Sequence, residues 1–129
     1  LIRVLLTETG QDITAKLDPE IIKPYLHHLD SNSCRQVVKA RREVIEQRYA
    51  QALDIAKGAL PQLKEQAKEI YGGKWQYEID RLSYLKQFNP SIRADEISRL
   101  QKFQQEGLGL LDGLSVTPEA IQILVVVKP

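Results

Sequence analysis

The sequence contains no methionine and a single cysteine, and it has no long apolar run. One cysteine, Cys34, excludes an internal disulfide and a cysteine-based zinc site. No apolar stretch approaches the roughly 18 to 20 residues that span a bilayer, and no charged segment followed by an apolar one indicates a secretory signal. These absences predict a soluble, cytoplasmic protein without membrane contact, in which Cys34 is a reduced, half-buried thiol.

The composition is that of an ordinary globular domain. Of 129 residues, 43% are hydrophobic and 27% charged, and 18 basic residues nearly balance 17 acidic ones. This balance excludes a global electrostatic field for nucleic acid or for an acidic membrane. The chain starts at Leu1, inside an apolar run, so we expect residues 1–129 to be one accessory domain excised from a larger protein.

Three segments have the composition of β-strands. Residues 1–7 are rich in branched apolar residues, residues 13–17 alternate apolar and polar, and the loop between them contains Gly10, which is free to adopt a positive φ. This pattern predicts a β-hairpin. Residues 121–127 form a continuous β-branched run, typical of a buried strand. Because two strands alone are marginal, we expect all three to form a small antiparallel or mixed sheet.

The central part of the chain has a helical pattern. We expect a short helix over residues 20–29 that breaks near Pro24, and a long helical excursion over about residues 33–88 that Asp30 and its polar neighbours cap. Pro61 predicts a kink in it. Gly72-Gly73 predicts a reversal into a long antiparallel helical hairpin, whose returning helix carries Trp75, Ile79, Leu82 and Leu85.

A further helix is expected to begin near Arg93 and to cover the sheet, since Asp95 and Glu96 suit a helix N-terminus. Thr117-Pro118-Glu119 predicts one helical turn before the last strand. The predicted fold class is therefore α+β.

The sequence contains no motif for a reaction or a cofactor. It has no phosphate-binding loop, no H-E-x-x-H and no G-x-S-x-G. His27 and His28 are adjacent, so they point to different sides of a helix or strand and do not form a metal pair. We therefore expect no catalytic residue, metal or cofactor in this chain, although a small enzyme with a cleft of titratable groups is a weaker alternative.

Two segments could contact a partner. Helical spacing places Arg35, Lys39 and Arg42 on one side, which suits phosphate or an acidic protein, although an ordinary charged stripe beside Glu43 and Glu46 is an alternative. The second segment contains Asn89, Pro90, Ile92 and Arg93. It could be a docking loop or a helix connector with Ile92 as a buried anchor.

The segment from Ile79 to Ile97 resembles the C-terminal region of the RNA polymerase-associated RapA family, bacterial SWI/SNF-type ATPases. That family shows an R-L-x-x-L-like helix, an N-P-x-I-R-x-D-E segment, a further helix and a closing I-V-V run. The N-terminal apolar run and Gly10 are also similar, so the resemblance extends over most of the chain. It rests on these residues: Arg81, Leu82, Leu85, Asn89, Pro90, Ile92, Arg93, Asp95, Glu96, Leu124, Val125 and Val126.

The resemblance implies a longer bacterial protein that binds core RNA polymerase, hydrolyses ATP with Mg²⁺, contacts DNA and recycles polymerase. The nucleotide-binding motifs would lie outside this chain, and none of them maps onto it. This domain would then contact polymerase or pack on the ATPase domains of its own protein. A free-standing coiled-coil interaction module unrelated to transcription is the alternative.

Overall fold

The computed structural model describes residues 1–127, and none of them lies in a β-strand. The helices are α1 (Pro19–Ile22), a 3₁₀ helix (Lys23–Tyr25), α2 (Ser31–Lys86) and α3 (Ala94–Asp112). The chain divides into two compact units, which are Leu1–Gly58 with the segment from Thr117 onward, and Ala59–Val116. The predicted α+β fold with a sheet is therefore wrong, because the described chain is helical.

The N-terminal segment keeps the predicted turn but not the predicted strands. Leu6 and Asp12 form an isolated antiparallel bridge, and Gly10 has the predicted positive φ of 87°. The bridge does not extend, because Asp12 accepts hydrogen bonds from the N–H and the hydroxyl of Thr14. The chain then turns, with the N–H of Lys16 donating to the carbonyl of Ile13. A hairpin without a third strand is marginal, so the ladder does not extend.

The predicted C-terminal strand is also wrong. Residues 121–127 belong to no strand, and their side chains are exposed. The helical turn predicted at Thr117-Pro118-Glu119 does not form either. A β-branched run forms a strand only where another strand satisfies its backbone, and the described residues provide none.

The start of α2 confirms the predicted cap. The Asp30 carboxylate accepts hydrogen bonds from the N–H groups of Asn32 and Ser33, both at 3.0 Å. These bonds satisfy N–H groups that the first helical turn leaves without partners. The short helix predicted over residues 20–29 is broken near Pro24 as predicted, since α1 ends at Ile22 and the 3₁₀ helix contains the proline. Its predicted second half is wrong, because residues 26–29 are not helical.

The predicted reversal at Gly72-Gly73 is wrong, because α2 continues through both glycines to Lys86. A glycine inside a helix costs only about 1 kcal/mol relative to alanine, so packing can override its preference. Here the Gln104 side chain donates to the carbonyl of Gly72 at 3.0 Å, and Leu108 lies beside the same glycine.

The reversal occurs instead at residues 87–93. After this connection α3 runs antiparallel to α2, since Gln104 contacts Gln76 while Asp112 contacts Lys68. The predicted start of α3 is confirmed, with Arg93 at the N-cap and Asp95 and Glu96 in the first turn. A helical hairpin therefore exists, but its two arms are the second half of α2 and the helix that was expected to cover a sheet.

The predicted kink at Pro61 is absent from the backbone dihedral angles. Along α2 the non-helical residue is Arg41, with φ −117° and ψ 15°. Its side chain forms an ion pair with Glu8. Arg48 donates to the Glu8 carbonyl at 3.1 Å, and Gln51 donates to the Gly10 carbonyl at 2.8 Å. These three bonds hold the N-terminal turn on α2 within the first unit.

Candidate interaction surface

The contact between α2 and α3 is built around Tyr71. Its hydroxyl donates to the carbonyl oxygen of Phe103 at 3.1 Å, and its ring lies so close to Gly107 that a methyl group there would overlap it. Trp75 lies between the two rings, with centroids 6.2 Å from Tyr71 and 6.1 Å from Phe103. This side of α2 is therefore occupied by α3.

A polar cluster closes the end of this hairpin. The Lys68 ammonium lies 2.5 Å from the Asp112 carboxylate, and Lys64 donates to the Asp112 carbonyl at 2.6 Å. The hydrogen bond from Lys68 lowers the pKa of Asp112 below its ordinary value, and the same bond raises the pKa of Lys68. The cluster borders an open depression of about 550 Å³, lined by Glu65, Lys68, Glu69, Gly72, Leu108 and Asp112.

This depression has the wrong chemistry for a reaction centre. Its three carboxylates are exposed, and Lys68 is paired with Glu65 and Asp112, whereas catalytic acid–base groups are desolvated in a cleft. Among residues 1–127, no three His, Cys, Asp or Glu side chains are grouped so that they could hold a metal ion. The surface is better suited to holding two helices together.

The opposite side of α2 has no neighbour within the second unit. Leu63, Ile70, Tyr77 and Tyr84 recur at intervals of seven residues and are between 43% and 76% exposed. We call these four residues the heptad stripe. Phe88 continues it past the end of the helix, with its ring 5.3 Å from that of Tyr84.

The stripe does not follow from the predicted fold. A reversal at Gly72-Gly73 would place Tyr77 and Tyr84 on a different helix from Leu63 and Ile70. The signal was present, since the seven-residue spacing continues across the glycines.

The basic candidates in the first unit are exposed. Arg35 and Lys39 share the straight segment before Arg41, but the non-helical Arg41 interrupts the spacing that would align them with Arg42. The Arg42 guanidinium lies 2.8 Å from Glu46, and this hydrogen bond raises its pKa. The three residues therefore do not form one uninterrupted helical row.

The second candidate segment is the connection between α2 and α3. The Asn89 side chain accepts a hydrogen bond from the N–H of Ser91, and Pro90 is exposed. Ile92 is half-buried between exposed neighbours, and Arg93 pairs with Asp95 at 2.9 Å. These contacts stabilise the turn between α2 and α3, and the Asn89, Pro90 and Arg93 side chains remain accessible to solvent.

The remaining candidates are also at the surface. His27 and His28 are both exposed. Cys34, expected to be half-buried, is exposed, because it lies in the first turns of α2, where the described chain packs nothing over it. No helix in the described part of the chain is both long and apolar enough to cross a membrane.

Comparison with known proteins identifies the family of the chain. The sequence profile described as "RNA polymerase recycling family C-terminal" matches residues 1–126. The RNA polymerase-associated protein RapA of Pseudomonas aeruginosa strain LESB58 is 34% identical over 128 residues. The proteins of the same name from Pseudomonas putida strains W619 and KT2440 are each 28% identical over 124 residues. Each match covers 96% of this chain, which spans only 13% of each relative.

Proposed function

Since the chain belongs to the RNA polymerase recycling family, as its C-terminal region, we propose that it is a docking module of a RapA-like protein that associates with RNA polymerase. The matched region is the non-catalytic part of the family. ATP, Mg²⁺ and DNA would be bound by other regions of the longer protein, in the bacterial cytoplasm. This domain contacts polymerase or packs against the ATPase domains.

One observation carries the docking role. Of the apolar side chains in residues 1–127, only Ala56 and Ile79 are buried, at 8% and 4% exposure. Meanwhile the heptad stripe and residues 121–127 present large apolar side chains to solvent. Contiguous apolar surface of this kind marks a site of protein–protein contact.

The two partner-contact segments predicted from the sequence complement these apolar surfaces. Arg35, Lys39 and Arg42 provide positive charge on the first unit, and the connection containing Asn89, Pro90, Ile92 and Arg93 provides an ordered loop on the second. Exposed charges of this type set association rate and orientation more than affinity. We therefore expect them to steer docking while apolar contacts stabilise it.

The proposal is tested by pull-down of core RNA polymerase with the 129-residue chain at about 50 μM, beside the same chain carrying Arg35→Glu and Lys39→Glu. We expect the parent chain to retain polymerase. The double variant should retain less, and added salt should also reduce the amount retained. Absence of binding would exclude direct polymerase contact. Binding of the chain to its own separately expressed ATPase region then tests the packing role, and failure of both would reject the docking function.

A further inference from the structure

The heptad stripe has the geometry of a contact with another helix. At about 100° per residue, a seven-residue repeat drifts only about 20° per step, so the stripe forms one band about 32 Å long. Trp75 and Ile79, which lie on the α3 side, are roughly 180° away around α2. A seven-residue apolar repeat is the pattern by which one helix packs along another.

The stripe is large enough to form a specific interface. From their exposed fractions, its four side chains and Phe88 present on the order of 600 Å² of apolar surface. A standard interface buries about 800 Å² on each partner. The stripe with its border residues therefore accounts for most of one side of such an interface.

The charges beside the stripe define the partner. Lys74 and Arg81 follow Ile70 and Tyr77 by four residues, about 40° from the stripe on one edge. Arg81 is already paired with Glu78 at 2.9 Å, whereas Lys74 forms no ion pair with any residue from 1 to 127. A partner that places carboxylates along this edge would form an ion pair with Lys74 and would also be attracted by the positive charge of Arg81.

A second copy of the chain fits this surface poorly. An antiparallel pairing would match Leu63 with Tyr84, but it would bring the two Lys74 side chains together at the twofold axis. A parallel pairing would place Asp80 opposite Asp80. Like charges that face each other across an interface disfavour the complex.

We propose that the heptad stripe binds an amphipathic helix of another protein segment, one whose apolar seam is bordered by acidic side chains facing Lys74 and Arg81. The inference deepens the docking function proposed above and rests on it. The contact is a helix laid along a helix, in which the aromatic side chains Tyr77 and Tyr84 anchor the seam.

Two synthetic helices test the proposal. Both contain four heptads with leucine at the a and d positions. Along one edge they carry either glutamate or lysine at the g positions, and along the other edge, which would lie beside Asp80, they carry glutamine at the e positions. We expect the acidic peptide to bind the 129-residue chain with a Kd below about 100 μM in fluorescence anisotropy, and the basic peptide to bind at least tenfold more weakly. The variant Lys74→Glu should narrow or reverse this preference.

A matched pair of variants tests the location. Tyr77→Asp should weaken binding of the acidic peptide at least tenfold, whereas Leu110→Asp, at an apolar site on α3 of similar exposure (77% against 69% for Tyr77), should leave it unchanged. Far-UV circular dichroism checks that both variants remain folded. No saturable binding, equal binding of both peptides, or equal loss in the two variants would overturn the proposal.

Sedimentation equilibrium tests the remaining alternative, in which a second copy of the chain covers the heptad stripe. If the chain forms a dimer that Tyr77→Asp dissociates, the occupant is a second copy and the proposal is overturned. Peptide binding does not involve polymerase. If the chain binds the acidic peptide but neither polymerase nor the ATPase region, the docking function is disproved and the helix-binding role of the heptad stripe is not.

Discussion

The Tyr71 hydroxyl donates a hydrogen bond to the backbone carbonyl of Phe103 at 3.1 Å, across the contact between α2 and α3. This bond fixes the ring over Gly107, where no side chain fits. Tyr71 and Trp75 lie one turn apart on the same face of α2, with their ring centroids 6.2 Å apart, so residues on both sides of Gly72-Gly73 belong to one helix. The opposite face is thereby displayed as a continuous surface.

Gly107→Ala tests this close approach. The added methyl group must displace the Tyr71 ring, so we expect a loss of about 1–3 kcal/mol in the free energy of unfolding, despite a gain of about 1 kcal/mol in helix propensity. Gly109→Ala is the control in the same helix, since nothing lies within 4 Å of that position, and it should stabilise the chain. Urea unfolding followed by circular dichroism measures both. Equal effects of the two variants would contradict the packing.

Gly10→Ala tests the clasp between the N-terminal turn and α2. At φ 87° a side chain is strained, and the new methyl group would lie 2.6 Å from the Arg48 guanidinium. We expect the free energy of unfolding to fall by about 1–3 kcal/mol, with faster hydrogen exchange in residues 1–17. Gly58→Ala, where no atom lies within 4 Å, should instead stabilise the helix by about 1 kcal/mol. A neutral Gly10→Ala would show that the turn is not held there.

The Asp112–Lys68 pair predicts a pH dependence of stability. Hydrogen bonding to Lys68 lowers the pKa of Asp112 below 3.8, so the contribution of the pair is complete above about pH 4 and is lost as pH falls through the folded pKa. The raised pKa of Lys68 means that the contribution is also lost when pH rises past 10.5 and through the folded value. Asp112→Asn should flatten both limbs of the stability profile.

Asp12 and Asp30 also have lowered pKa values, because of hydrogen bonds from Thr14 and Ser33. The loss of stability at acid pH should therefore be smaller in Asp112→Asn than in the parent chain, but it should not disappear. Because Asp112 is exposed, 1 M salt should reduce the difference in stability between the variant and the parent. A profile that is unchanged by the substitution would show that the ion pair does not form in solution.

Local chemistry in the sequence predicted several features correctly. The Asp30 cap, the positive φ of Gly10 and the start of α3 each depend on neighbouring residues only, so a short window contains the needed information. The resemblance from Arg81 to Glu96 identified the family for the same reason, since its motif is contiguous. The family match over residues 1–126 confirms it.

The errors arose where distant contacts outweigh local preference. Two glycines suggested a turn, but Gln104 and Leu108 pack on Gly72 from a helix more than 30 residues away, and this packing outweighs a helix penalty of about 2 kcal/mol. The strand prediction for residues 121–127 required partners that residues 1–127 do not provide. A turn at the glycines would divide the heptad stripe between two helices, so the predicted fold contains no such surface.

The continuity of α2 across Gly72-Gly73 is tested most directly by a distance between residues 63 and 84. Spin labels at Leu63→Cys and Tyr84→Cys in a Cys34→Ser background can be measured by double electron–electron resonance. A single helix places the two backbone positions about 32 Å apart, at about 1.5 Å per residue. A reversal at the glycines would instead bring them within about 10–12 Å, and that result would contradict both the helix and the stripe it displays.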